Sequence, residues 1–272
     1  MCELFAISSA KAVAVRYSLH EFAKHGGLTH ENKSGWGVSF QCDEDTLLIK
    51  EPEPADNSPW VSFIAEQQVK SHCVIAHVRR ASHGRPRFEN THPFKRELAG
   101  RAQVFAHNGT LAGFHDALPL ATRHFQPIGE TDSEHAFCHL LEQIAPLWDN
   151  GTPSVEERLN VVAEAAAALC RLGSANFFYS DSDTLFLHAD QRCYDDDGVL
   201  SAPRAPGLHW IRRHDYLTKG LKVAATAAKG NRAVLIASVP LSKEGWQGFA
   251  RGSVVAYRGG EIVGEASLGE PS

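Results

Sequence analysis

The chain has 272 residues, of which 43% are hydrophobic and 22% charged, with a formal net charge of −5 at pH 7. That length allows one large core or two small ones, the composition is that of an ordinary globular protein, and the negative balance gives no electrostatic case for nucleic acid or an anionic membrane surface. No apolar run approaches bilayer length and the N-terminus has no secretory-signal pattern, so the expected location is the cytoplasm, with no membrane partner.

In chain order, Cys2 to Ser9 reads as a strand, about 15–25 as a helix, and Trp36–Phe40 with Thr46–Lys50 as a strand pair. A helix is expected at about 59–70 and strands at 73–79 and 103–107. After Gly129, Thr131-Asp132-Ser133-Glu134 is a capping-box pattern, with Thr131 as the cap and Glu134 reaching back. Ala136, Phe137, Leu140, Leu141 and Ile144 follow at helical spacing. An Ala-rich helix is expected at about 154–172, then strands at 176–180, 184–188, 221–227, 232–239 and 253–258, the last turning at Gly259-Gly260 into Glu261-Ile262-Val263. No repeat or linker divides the chain, so residues 2–272 are expected to form one domain. Strands, two helices and more strands suggest an α+β sandwich rather than a βαβ series.

The cysteines Cys2, Cys42, Cys73, Cys138, Cys170 and Cys193 form no CxxC pair, and reduced thiols are the default. Five of the fifteen histidines, His72, His77, His83, His92 and His107, fall in one stretch. None makes an HExxH pair, which favours packing or hydrogen-bonding roles over a metal site. GxGxxG and GxxxxGK[ST] are both absent, so no nucleotide cofactor is indicated, and no cofactor is expected.

The chemistry starts at the second residue. Removing Met1 would give Cys2 a free α-amine, whose ordinary pKa of about 7.7–8.0 suits a base beside a thiol nucleophile. Taken alone, Cys2 reads more simply as the first residue of a buried strand. Four motifs follow. Ala76-His77-Val78-Arg79-Arg80-Ala81-Ser82-His83-Gly84 delivers arginine, hydroxyl and imidazole to a glycine turn, and arginine suits a carboxylate. Asn90-Thr91-His92-Pro93-Phe94 reads as a rigid loop, and Phe105-Ala106-His107-Asn108-Gly109 ends an apolar strand. Asp132 opens a helix. Singly, each has a plainer reading: Asn108-Gly109 as a hairpin turn, Asp132 as a complement to the helix dipole, Arg79 as a surface ion-pair partner, Ser82 and His83 as turn residues.

In their order and joint presence these motifs resemble the class II, N-terminal-nucleophile glutamine amidotransferases. That family is marked by an initiating Met-Cys, an HxRx[AS][ST]xG strand, a histidine-proline loop, an HNG turn and an Asp-opened helix. The resemblance is densest over residues 2–137. Ala237-Ser238-Val239-Pro240-Leu241 with Gly245-Trp246 resembles the C-terminal part of the small stand-alone branch. The resemblance implies a four-layer αββα sandwich, with Cys2 as nucleophile and its α-amine as base. It implies an oxyanion hole from the Asn108 side chain and the Gly109 N–H. Arg79 would bind the substrate carboxylate and Asp132 its ammonium, with Ser82 and His83 lining the glutamine pocket.

Arg80 stands where many relatives carry an aromatic residue. No sugar-isomerase, phosphoribosyl-binding or ATP-binding synthetase segment is recognised after the amidotransferase unit. The expected activity is therefore cleavage of a γ-glutamyl amide, with ammonia passed to a partner protein in trans or a γ-glutamyl conjugate such as a thiol peptide hydrolysed directly. A catalytically silent glutamine sensor is the alternative from another class, and it would need only the two charged clamps.

Overall fold

A computed structural model describes residues 2–81, 84–121, 124–196, 199–214 and 231–269. In chain order its elements are β1 (Glu3–Ala14), α1 (Arg16–Lys24), β2 (Trp36–Cys42), β3 (Asp45–Glu51), α2 (Pro59–Gln67), β4 (Lys70–Val78), β5 (Phe94–Leu98), β6 (Arg101–Gly109), α3 (Phe114–Ala117), α4 (Asp132–Ile144), α5 (Val155–Cys170), β7 (Ala175–Ser180), β8 (Leu185–Ala189), β9 (Asp195–Asp196), β10 (Val199–Leu200), β11 (His209–His214), β12 (Arg232–Ala237), β13 (Gln247–Gly248), β14 (Ser253–Arg258) and β15 (Glu261–Ser267).

Two antiparallel sheets carry the fold. One runs β13-β11-β12-β1-β4-β2-β3 and the other β15-β14-β8-β7-β6-β5. Period-2 alternation decides how they stack. Leu4 and Ala6 of β1, Ile75 of β4 and Ile236 of β12 meet Ala106 of β6, Phe178 of β7 and Leu187 of β8 in a core between the sheets. The alternate residues Phe5, Ile7, Val74 and Val38 pack outward under Leu19 and Phe22 of α1 and Val61 and Ile64 of α2. On the far side Phe105, Phe177 and Phe186 pack under Phe137 and Leu141 of α4 and Val162 and Leu169 of α5. The order is helix, sheet, sheet, helix, which is the expected four-layer αββα sandwich. No helix among the described residues is long and apolar enough to cross a membrane.

Several local expectations change. β1 extends to Ala14 because its pairing with β4 shifts register between Ser8 and Val13 and then resumes. α2 stops at Gln67, where Gln68 takes a left-handed conformation with φ of 49°. β5 and β11 were not expected, since the polar residues of Phe94–Leu98 and His209–His214 hide their alternation. The strand expected at 221–227 lies outside the described residues. The capping box at α4 is only half formed: Thr131 accepts from the Glu134 N–H, but the Glu134 carboxylate turns away to Arg96 Nη2 at 2.5 Å and to the Gly129 N–H at 2.7 Å. A reciprocal box closes α5 instead, between Ser154 and Glu157.

A histidine cluster lies at the end of this sandwich. His77 of β4, His92 before β5 and His107 of β6 are buried. The His77 and His92 ring centroids are 4.2 Å apart, and the His92 ring lies 4.4 Å from that of Phe94. Among the described residues, no well-formed hydrogen-bond partner meets the ring nitrogens of His77 or His92. Burial, reinforced by Arg79 and His107, pushes the His77 pKa down to about 3. Burial also holds His92 well below, and His107 below, the ordinary imidazole value.

Two outcomes are expected. Because the His77 and His92 rings stay neutral when folded and ionise near pH 6.5 when unfolded, the unfolded chain binds more protons below that pH. Stability is then lost as pH falls through about 6.5, by up to about 2 kcal/mol per ring at pH 5. Denaturant titrations at pH 7.5 and 5.0 should show this, with a shallower acid loss in His77→Phe; an equal loss would mean that the ring ionises in the folded protein. Separately, Ser154→Ala should cost about 1 kcal/mol through the α5 cap, and leave the rate of Cys2 alkylation unchanged.

Candidate active site

Cys2 stands immediately before β1, the strand at the middle of its sheet. β1 pairs β4 through Glu3↔Val78 and β12 through Phe5↔Ala237. Ser238 closes the end of the ladder by accepting from the Leu4 N–H at 2.9 Å and donating its own N–H to the Leu4 carbonyl at 3.0 Å. The stretch Ala237-Ser238-Val239-Pro240-Leu241 thus helps to fix the strand that presents Cys2.

The half-buried Cys2 thiol donates to the Arg80 carbonyl and accepts from the Arg80 N–H, both at 3.2 Å. Loss of water raises its pKa above the ordinary thiol value, while the Arg80 N–H and the Arg79 charge act in the opposite sense. Left alone, it is a thiol rather than a thiolate, so reaction needs a base.

The second sheet reaches the same point through β6. Asn108 Nδ2 donates to the Cys2 carbonyl at 2.6 Å. An amide nitrogen has two N–H groups, so one remains after this contact. Asn108 pairs Asn176 and Gly109 pairs Ala175, so β6 continues along β7 and the two-residue hairpin reading is excluded. Glycine is required at 109, since a Cβ there would lie 1.6 Å from the Ser174 carbonyl oxygen.

Arg79 is buried, which removes the surface ion-pair reading. Its N–H donates to the Gly35 carbonyl at 2.7 Å, and its carbonyl accepts from the Ser34 N–H at 2.9 Å. Its guanidinium donates to the carbonyls of Gly84 at 3.0 Å, Arg85 at 3.3 Å and Ser34 at 3.4 Å. Asp132, also buried, accepts from the Leu111 N–H at 2.7 Å and the Ser133 N–H at 2.8 Å. Asp132 therefore does more than complement a helix dipole, because it ties the chain after β6 to the start of α4. Ser133 continues the connection, its Oγ lying 2.9 Å from His107 Nδ1. The Asp132 charge acts on both Cys2 and Arg79. Cys2, Arg79, Asn108, Gly109 and Asp132 thus converge on one end of the sandwich, whereas Ser82 and His83 lie outside the described residues.

Sequence reasoning missed the groups that hold these five. Asn90 donates to the Arg85 carbonyl at 3.1 Å and accepts from the Glu130 N–H at 2.9 Å, linking the loop that grips Arg79 to the approach to Asp132. Ser34 and Gly35 were missed too, although the Gly35-Trp36-Gly37 run was a usable signal. A Cβ on Gly37 would lie 2.4 Å from the His92 carbonyl oxygen.

Behind Cys2, the buried Glu3 carboxylate lies 2.5 Å from His25 Nδ1 and 3.9 Å from His30 Nε2. Burial alone would raise the Glu3 pKa, but the hydrogen bond and charge of His25 outweigh it and hold it below the ordinary value. Donor atoms of Glu3, His25 and His30 lie within 4.8 Å of one another. The Glu3–His25 contact is nonetheless a direct hydrogen bond, shorter than the roughly 3.3 Å separating two donors on a tetrahedral ion.

The family profile of class-II glutamine amidotransferases matches residues 1–271. YafJ of Escherichia coli is 31% identical over 272 residues, covering 97% of this chain and 100% of YafJ. The 2.0 Å crystal structure of a predicted glutamine amidotransferase from Pseudomonas aeruginosa PA01 superimposes with a TM-score of 0.69 at 28% identity, over 97% of this chain and 100% of that one. At 16% identity, glutamine phosphoribosylpyrophosphate amidotransferase from B. subtilis shares the fold alone, with a TM-score of 0.63 over 99% of this chain and 50% of that one. The chain belongs to the class-II glutamine amidotransferase family and has that family's N-terminal-nucleophile type of fold.

Proposed function

We propose that this chain cleaves the γ-amide of glutamine or of a γ-glutamyl conjugate through a thioester on Cys2, once loss of Met1 has freed the Cys2 α-amine. The observation that supports this most is the meeting of the two sheets at Cys2, with its thiol on the Arg80 backbone and its carbonyl on Asn108 Nδ2. A residue held from both sides suits a nucleophile whose approach must be repeatable.

In this reading Arg79 receives the substrate α-carboxylate and Asp132 its α-ammonium. The γ-carbonyl is thereby placed over the thiol. The α-amine takes the thiol proton, directly or through one water, as sulfur attacks the carbonyl carbon. Negative charge then appears on the carbonyl oxygen, where the remaining Asn108 N–H and the Gly109 N–H would meet it. Collapse expels ammonia or an amine carrying that proton, and water hydrolyses the thioester to release glutamate. Ammonia would pass to an acceptor protein in trans, whereas an organic amine would simply leave. Six free cysteines suit a reducing cytoplasm, where we place the protein.

Intact mass of natively expressed protein should show loss of one methionine. Cys2→Ser should keep the melting temperature while glutamate release from a panel of γ-glutamyl amides falls severely. A fully active protein that retains Met1, or a Ser variant of normal activity, would overturn the mechanism.

Asn108→Ala should lower the rate of thioester formation by roughly a hundred- to a thousandfold, the usual loss for one oxyanion donor. Substrate Kd should change far less, because Arg79 and Asp132 remain. A variant that binds weakly yet reacts at a near-normal rate once saturated would reduce Asn108 to an anchor for Cys2.

A further inference from the structure

A cavity of about 630 Å³ is lined in part by Glu3 and Arg80, both neighbours of Cys2. Arg192, Tyr194, Val239 and Pro240 form part of its wall. Two of its lining residues adjoin the nucleophile: Glu3 follows Cys2 in sequence, and the Arg80 backbone holds the Cys2 thiol. Arg79 and Asp132 occupy a different wall of the site, among the 84–85 loop and the start of α4. The Arg192 charge acts on both Glu3 and Cys2, so the cavity and the nucleophile share one electrostatic neighbourhood.

Arg192 is the unusual member. It is 7% exposed, yet it forms no ion pair within 4 Å among the described residues, and its Nη1 has no hydrogen-bond partner. Its Nε reaches only the Cys193 carbonyl, at 3.4 Å, and its guanidinium lies 5.6 Å from the Tyr194 ring centre. Buried guanidinium groups are costly unless an anion meets them. Glu3 does not serve, because its carboxylate is taken by His25. Arg80, by contrast, is paired with Glu31 at 3.3 Å.

We propose that this cavity receives the leaving half of the substrate, an amine bearing a carboxylate that Arg192 binds, such as an amino acid or short peptide joined through its nitrogen to the γ-glutamyl group. The inference rests on the reading of Cys2 given under Proposed function. Volume argues for an organic leaving group, since ammonia is water-sized and a water occupies only roughly 30 Å³. Charge argues for a single carboxylate rather than a phosphate dianion, because one unpaired cation faces a wall that also carries Glu3, Glu31 and Asp195. Chemically, the Cys2 sulfur forms the thioester bond, the amide C–N bond breaks, and the amine departs with the proton that left the thiol. Its carboxylate stays on Arg192 until the amine diffuses out, and water then takes its place for thioester hydrolysis.

The test compares γ-glutamylglycine with γ-glutamylethylamide, which has a similar shape but no carboxylate on the leaving side. With native protein, kcat/KM should favour γ-glutamylglycine by at least tenfold. Arg192→Gln should collapse that ratio toward one, and Arg192→Lys should restore part of it. Equal kcat/KM in the native protein would overturn the proposal while leaving Cys2 chemistry standing. If neither compound is turned over, the functional reading fails, and calorimetric titration of Cys2→Ala protein still decides the inference. Binding of γ-glutamylglycine at least tenfold tighter than that of the ethylamide, lost when Arg192→Gln is added, supports it. Equal binding, or no binding of γ-glutamylglycine at millimolar concentration, overturns it. Because the native-protein comparison needs no variant, a misfolded Arg192→Gln protein does not rescue the idea.

Discussion

The candidate site depends on how residue 2 is held at the start of the middle strand of its sheet. The first residues of a domain are ordinarily its least ordered part. Here β1 is the middle strand of its sheet, with β4 on one edge and β12 on the other, and Ser238 fastens Leu4 by two hydrogen bonds. Cys2 is then gripped once from each sheet, by Arg80 after β4 and by Asn108 at the end of β6. Those two contacts make the separation of the sheets, set by the Leu4, Ala106 and Phe178 core, a determinant of where the thiol sits. Precision at Cys2 is therefore a property of the whole sandwich.

Electrostatics follow from that placement. Partial burial takes water from the Cys2 thiol and raises its pKa, which costs nucleophilicity at rest but strengthens every charge interaction nearby. Among the described residues, the charges of Arg79, Asp132 and Arg192 act on it. Arg79 and Asp132 are each fastened to backbone groups, so their positions do not depend on a ligand. Arg192 has no such full set of partners. That asymmetry separates two charged groups held by the protein's own backbone from one whose guanidinium lacks a full set of partners among the described residues.

β1, β2, β3 and the helices α4 and α5 could be read from their apolar patterning, whereas the four-layer order followed from the family resemblance rather than from periodicity. β5 and β11 could not be read in that way, since three of the five residues of Phe94–Leu98 and four of the six of His209–His214 are polar or charged and no period-2 apolar alternation stands out. Cys2, Arg79, Asn108, Gly109 and Asp132 were legible because each sits in a short, ordered motif. The supporting groups were not. Asn90 acts through hydrogen bonds to residues on both sides of a loop, and Arg192 reaches the site from a segment nearly two hundred residues away in sequence. Nothing local in the chain marks either contact. The Glu134 cap failed for a related reason: Arg96, on the neighbouring β5, offers its carboxylate a charged partner that a backbone N–H cannot match.

The turn after β6 shows how the same residues serve structure and chemistry. Gly109 is forced by the Ser174 carbonyl, which leaves no room for a Cβ, and its N–H belongs to a strand end where Asn108 already faces Cys2. A bulkier residue at 109 would push β6 off β7, and Asn108 would move with it. The closeness of the β6–β7 pair is thus what aims an amide at the first residue of β1. Such a donor is fixed by a ladder of backbone hydrogen bonds, so in the proposed reaction it would not need to reorganise as charge developed on a carbonyl oxygen beside it. That rigidity is what makes a hydrogen-bond donor effective in a transition state.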